Sequence, residues 1–177
     1  MKMVVITGSA HKNGTSACLT DNFIKGAEEA GYEVSRFDAA FKKVHPCLGC
    51  DHCYKTGEGC VFKDDMEELN PILMEADAVV FVTPIYYYNI NAQIKTVIDR
   101  FYANDQKLHG GKKTALLTTM ADDVMKSADA ANLWLKTCAE FLDWDIVGTV
   151  NAMSCMTRED IEKSDYPQQA YELGKKF

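Results

Sequence analysis

The sequence predicts an α/β fold: a doubly wound, five-stranded parallel sheet in the order 2-1-3-4-5, with helices on both faces. Three observations carry that prediction. Short, almost uninterrupted apolar runs bounded by turn residues or charge recur along the chain, as strands buried on both faces do. Segments with helical spacing lie between them. Strict alternation of the two implies right-handed βαβ units, which form a parallel sheet with a ligand crevice where the strand order reverses.

The first strand is MVVIT, residues 3–7. A helix from Thr15 to Ala30 follows and ends at Gly31, a favourable residue just beyond a helix. YEVSRF (32–37) alternates and suits an edge strand. DDMEELNPILMEA (64–76) opens a helix with two acids, where the dipole favours negative charge. AVVFVT (78–83) is the third strand. Residues 90–102 form a helix with Ile94, Val97, Ile98 and Phe101 on one face. TALLTT (114–119) is the fourth strand, an amphipathic helix spans Ala128 to Leu142, and DIVGTV (145–150) is the fifth strand. The runs 3–7, 78–83, 114–119 and 145–150 all read as buried on both faces. Arg158 to Lys176 reads as one last, more polar helix. The expectation is a single domain over 1–177, with a cysteine-rich insertion at about 44–63 in the connection after the second strand.

Composition narrows the function. At 47% apolar residues the chain is globular in character. A net charge of −7 argues against nucleic-acid partners, which require clustered Lys and Arg. The opening MKMVVITGSA meets turn residues too soon for a signal peptide or a membrane span. The expected setting is cytoplasmic, where cysteines stay reduced and serve metal or redox chemistry more often than disulfides.

Ligands in such folds bind beyond the carboxyl ends of the strands, so the loops after strands one, three and four are the candidates. The first, TGSAHKNGTSA, is neither a dinucleotide fingerprint nor a Walker loop. It offers the hydroxyls of Ser9, Thr15 and Ser16, the amide of Asn13 and a helix N-terminus, a set suited to a phosphate. The plainer reading is that Thr15 or Ser16 only caps the helix. The second loop, TPIYYYNINAQIK, carries three consecutive tyrosines. At least one should face a cleft and stack on a planar ligand, unless all three serve a core or interface cluster. A phosphate cradle beside an aromatic platform suggests a flat-ringed mononucleotide such as FMN. The third loop, TTMADD (118–123), would flank the ring's polar edge.

GSAHKNGTS resembles the phosphate loop of flavodoxin-like NAD(P)H-dependent FMN reductases. TPIYYYNINAQIKTVIDRFYA resembles that family's ring-binding loop and following helix, and PCLGCDHCYKTGEGCVFKDDM resembles the cysteine loop of its iron–sulfur flavoprotein branch. The likeness runs from about Met1 to Gly111. It implies a flavodoxin-like fold in which Ser9, His11, Asn13, Thr15 and Ser16 hold the FMN phosphate. Pro84, Ile85, Tyr86, Tyr87, Tyr88 and Asn89, with Thr118, Thr119, Met120 and Ala121, would surround the isoalloxazine. Two departures stand out. Ala10 and His11 replace the common Pro-Arg pair, and the third loop lacks the paired glycines of many relatives.

Cys47, Cys50, Cys53 and Cys60 follow C-x2-C-x2-C-x6-C. The opening run is that of bacterial-type [4Fe–4S] ligation, and the third closely spaced cysteine disfavours zinc. Free thiols or a disulfide are the main alternatives, and zinc is the remaining one. Cys18 and Cys138 read as small buried hydrophobes, and Cys155 sits alone in a late loop. His45, His52 and His109 read as surface or turn histidines, and the pairs Asp64–Asp65 and Asp122–Asp123 as helix N-terminal acids. No catalytic triad or HExxH pattern appears.

The expected activity is an FMN-dependent oxidoreductase that passes electrons from NAD(P)H to a small acceptor such as a quinone or flavin, with a [4Fe–4S] cluster as a further carrier. No general base is needed for that chemistry. The resemblance implies a homodimer or homotetramer. The competing readings are a non-catalytic electron carrier and a thiol- or metal-responsive binding module.

Overall fold

The computed structural model describes residues 1–177. The strands are β1 (Lys2–Thr7), β2 (Glu33–Asp38), β3 (Ala78–Tyr86), β4 (Asn89–Ile90), β5 (Lys113–Thr119) and β6 (Asp145–Ala152). The helices are α1 (Thr15–Glu29), α2 (His52–Thr56), α3 (Met66–Glu75), α4 (Ala92–Asp99), α5 (Asp105–Leu108), α6 (Asp129–Leu142), α7 (Arg158–Glu162) and α8 (Tyr166–Lys175). The sheet runs β2-β1-β3-β5-β6 with every neighbouring pair parallel. This is the predicted 2-1-3-4-5 order. The two-residue β4, which periodicity does not foresee, folds back antiparallel onto the end of β3.

Side-chain alternation divides the core between the two faces of the sheet. Val4 and Ile6 of β1 pack with Leu69, Ile94 and Leu135, so α3, α4 and α6 cover one face. Met3 and Val5 pack with Leu19, Phe23, Ile161 and Leu173, so α1, α7 and α8 cover the other. Each fully buried large side chain, such as Phe23 or Phe81, contributes about 1.5–3 kcal/mol over its exposed state. No helix is long and apolar enough to cross a membrane.

Three expectations need correction. The run 145–150 is not buried on both faces. As the last strand in the order it forms a sheet edge, and Asp145 and Ile146 are exposed. The segment from Arg158 to Lys176 is two helices, not one. Pro167 lies in the first turn of α8, where its missing N–H is tolerated; inside a continuous helix its ring would clash with the carbonyl four residues back. The helix expected over 90–102 tightens after Asp99 into a 3-10 turn, Arg100–Asn104. That turn directs the Arg100 guanidinium inward, to 2.7 Å from Asp64.

Candidate functional site

The loops after β1, β3 and β5 meet at one end of the sheet and enclose a cleft of about 830 Å³. Ser9 to Thr15 line one side, Pro84, Ile85 and Tyr86 another, and Thr119, Met120 and Ala121 the floor between them. Its size falls in the range of small-molecule and cofactor sites.

The first of these sides is organised by backbone and hydroxyl groups. The His11 N–H donates to Ser9 Oγ at 3.2 Å, and the Gly14 N–H donates to the His11 carbonyl at 3.1 Å. Gly14 is the N-cap of α1, and no side chain caps that helix. The plainer reading of Thr15 and Ser16 as caps therefore gives way. Both hydroxyls go to Thr119 across the cleft floor: Thr15 Oγ1 donates to Thr119 Oγ1 at 3.2 Å, and Ser16 Oγ lies 2.9 Å from the same oxygen. The N-terminus of a 15-residue helix thus lies at the cleft wall, where anion recognition by a helix N-terminus is possible.

Asn91 ties this side to the tyrosine loop. Its Nδ2 donates to the Gly8 carbonyl, its own N–H donates to Thr83 Oγ1 at 3.1 Å, and its Oδ1 accepts from the Ile94 N–H at 3.4 Å, capping α4. The side chain packs so closely that a Cβ on Gly8 would fall 2.1 Å from Asn91 Oδ1. Beyond Asn91, β3 and β4 form a hairpin whose two connecting residues are Tyr87 (φ 46°) and Tyr88 (φ 64°). Left-handed backbone at two successive bulky residues is strained, and such strain gathers at functional sites.

The expected residues divide into three groups. Ser9, His11, Asn13, Thr15, Pro84, Ile85, Tyr86, Thr119, Met120 and Ala121 all line the cleft. Tyr87 and Tyr88 line an adjoining hollow with Met120, Ala121 and Asp122. Ser16, Thr118 and Asn89 reach neither surface. Ser16 is buried against Thr119, and Thr118 is buried with its hydroxyl donated to Asn151 Oδ1 at 2.8 Å. Asn89 Oδ1 accepts from the Ile90 N–H at 2.8 Å within β4. Three lining residues that sequence reasoning passed over come from beyond β6: Cys155, Met156 and Arg158. Burial pushes the Cys155 thiol up, so it behaves as a small apolar wall. No local pattern marks any of the three.

The cysteine loop forms a second, separate pocket. Cys47, Cys50, Cys53 and Cys60 line it together, with Val61, Phe62, Arg100 and Tyr102 as the remaining wall. Burial pushes the Cys53 thiol up, and the neighbouring sulfurs of Cys60 and Cys47 add to the effect. The free space is about 20 Å³, room for roughly one water, so seating a cubane there requires the loop to spread. No three His, Cys, Asp or Glu side chains converge on a single ion-binding point. That geometry bears on zinc, whose ligands all approach one centre at about 2.3 Å, whereas a cubane distributes its thiolates over separate irons.

The base of this pocket is built around Arg100, which is almost fully buried. Its guanidinium donates to Asp64 and to the His45 carbonyl, each at 2.7 Å, and lies over the Phe62 ring. His45 stacks on that same ring at 3.8 Å. Burial works against the Asp64 charge, but the Arg100 pair and the N–H groups of His45 and Met66 hold its carboxyl below the usual range. The Arg100 Nε is buried without a partner. Asp64 is therefore more than a helix N-terminal acid: it anchors the cysteine loop to the rest of the fold.

An iron-sulfur flavoprotein from Archaeoglobus fulgidus is 44% identical over 100 residues, covering 56% of this chain and 45% of that protein. One from Methanocaldococcus jannaschii is 43% identical over 102 residues, 56% of this chain and 50% of its own. The chain spans about half the length of these curated relatives. Among solved structures, an azoreductase from Bacillus anthracis str. Sterne superposes with a TM-score of 0.75 over the whole of both chains at 20% identity, a likeness of fold. The model of one family, described as NADPH-dependent FMN reductase, matches residues 1–154, and the chain belongs to that family.

Proposed function

We propose that this chain binds FMN in the cleft between the β1, β3 and β5 loops and works as an oxidoreductase, moving electrons from NAD(P)H to a small acceptor such as a quinone or flavin. One observation carries the reading. A hydroxyl- and amide-rich helix N-terminus and an apolar wall of Pro84, Ile85, Tyr86 and Met120 face each other across one cleft, the two halves that a phosphorylated flat ring needs. When bound, FMN supplies hydride acceptance from a nicotinamide and release of one or two electrons.

The protein's part is to bind, orient and shield. Ser9, His11, Asn13 and Thr15 hold the phosphate end. Thr119, positioned by Thr15 and Ser16, sits on the floor. Tyr86 remains half-exposed, so a donor has access to one face of the cleft. The absence of a dinucleotide fingerprint predicts weak donor binding over that face. Tyr87, Tyr88 and Val124 are exposed and line adjoining hollows beside the cleft, which supports a homodimer or homotetramer. Cys47, Cys50, Cys53 and Cys60 are the ligand set for a [4Fe–4S] cluster, a reading that their shared pocket and the names of the two relatives support. Residues 1–177 act as one domain in this proposal, and seven free thiols suit a cytoplasmic setting.

The test is anaerobic reconstitution with FMN, followed by addition of NADH or NADPH. The expected outcome is a flavin spectrum that the nicotinamide bleaches and a quinone restores repeatedly. A flavin reduced by dithionite but inert to both nicotinamides marks an electron carrier instead. In the same preparation, any of the four loop cysteines changed to Ser should lose iron while FMN is retained. Iron near zero in the wild type after supply of iron and sulfide would retire the cluster.

A further inference from the structure

The cleft has one guanidinium on its wall, and it comes from the part of the chain beyond the family match. Arg158 lines the cleft with Ser9 to Thr15, yet the matched residues end at 154. Its neighbours show which end it serves. Its helix α7 packs against α1, the helix that this loop leads into, and Ile161 of α7 shares a core cluster with Cys18 and Leu19 near the start of α1. It therefore flanks the phosphate-loop end of the cleft and not the tyrosine wall.

The local structure holds it there. Thr157 closes a capping box: its hydroxyl accepts from the Asp160 N–H at 3.2 Å, and the Asp160 carboxylate accepts from the Thr157 N–H at 2.7 Å. Ile161, fully buried in the core beneath α1, pins the same short helix. The Arg158 Nε donates to Glu162 Oε1 at 2.5 Å, which fixes the side chain along α7. Neither terminal nitrogen has a protein acceptor. The nearby Asp21 carboxylate is taken up by Arg36 at 2.8 Å and does not compete.

Other cations near the loop are placed differently. Lys12 also lines the cleft, but its ammonium sits over the Phe41 ring, 5.1 Å from its centre, and Phe41 is not among the lining residues. Apart from Lys12, whose ammonium is drawn to Phe41, the loop offers a phosphate dianion only hydroxyls, an amide, an imidazole and backbone N–H groups, in a chain of net charge −7. A guanidinium with both terminal nitrogens free meets two phosphate oxygens at once.

We infer that Arg158 is a phosphate-recognising residue that makes this cleft selective for a phosphorylated flavin, FMN over riboflavin. The inference rests on the FMN reading proposed above. Its test titrates the flavin-free protein with FMN and, separately, with riboflavin, following flavin fluorescence, for wild type, Arg158→Ala and Arg158→Lys. Loss of the charge-assisted bonds should weaken FMN binding about tenfold or more in Arg158→Ala and leave riboflavin unchanged. Arg158→Lys should fall between, and the salt dependence of FMN binding should shrink in Arg158→Ala. An equal loss for both flavins, or no loss for either, would overturn the role of Arg158 while leaving the flavin site standing. Wild type binding neither flavin would overturn the flavin reading and this inference with it. Far-ultraviolet circular dichroism on each variant confirms that the changes are read on folded protein.

Discussion

Asn91 shows how much of the cleft depends on single residues. It joins the carbonyl of the first loop to the hydroxyl that begins the second, and Gly8 is the only residue type that leaves it room. Gly8→Ala should therefore cost about 1–3 kcal/mol, because the added methyl forces a buried, hydrogen-bonded amide to move. Urea unfolding of Gly8→Ala, Asn91→Ala and the double variant checks this. The double variant should lose less than the sum of the singles, since removing the amide removes the clash. Asp64 sets a second residue-scale prediction. Its depressed folded pKa contributes stability that is fully present above the ordinary Asp value of about 3.9, and that stability is lost as pH falls through the lower folded value. The stability gap between wild type and Asp64→Asn should accordingly be widest near neutral pH and close in the acid range below about 4. A gap independent of pH would mean that the Arg100 pair adds nothing as a charge pair.

At the scale of elements, the β3–β4 hairpin stands out for its choice of residues. A two-residue connection with both positions at positive φ favours Asn-Gly, yet here it holds two tyrosines, of which Tyr87 is fully exposed. Largely exposed rings return little packing energy to offset the backbone cost, so the strain is not repaid within the single chain. Replacing the pair by Tyr87→Asn with Tyr88→Gly should raise stability by about 1 kcal/mol or more, seen as a higher melting temperature. If the melting temperature fell instead, the tyrosines would be packing in a way the single chain does not show, as at a subunit interface. The helix N-terminus of α1 illustrates the opposite economy. Gly14, Thr15 and Ser16 leave the helix uncapped by side chains, and the two hydroxyls, for which capping is the plainer sequence reading beside phosphate binding, organise Thr119.

Across the whole molecule, the C-terminal helices lock the α1 side of the sheet. α8 crosses α1 at glycines on both helices: a Cβ on Gly174 would fall 2.3 Å from the Phe23 carbonyl oxygen, and one on Gly26 would fall 2.1 Å from that of Tyr171. Phe177 then packs edge-on against Phe23 and Tyr32. Because the atoms met are backbone, no side chain can swing aside. Gly174→Leu should lose about 1–3 kcal/mol in guanidinium unfolding, with the α1 and α8 helices forced apart. A variant of undiminished stability would show that the crossing tolerates separation.

The sequence by itself determined the strand order, the three loops that meet at the switch point, and the four-cysteine spacing. Each of these is written in a short stretch of chain: an apolar run such as AVVFVT, a turn-rich loop after it, or thiols two residues apart. Local chemistry and the right-handedness of βαβ units carry them into space with little freedom left. What only the tertiary structure decided depends on contacts between distant segments. Thr118 and Thr119 are adjacent and alike, but strand alternation sends one hydroxyl to Asn151 and the other to the cleft floor. The split of the last helix releases α7 to lie beside α1, which brings Arg158 to the cleft wall shared with Ser9 to Thr15 from the far end of the chain. Arg100 reaches Asp64 beneath the cysteine loop because the helix before it tightens after Asp99. No periodicity announces such meetings, because they are set by how helices pack across the sheet.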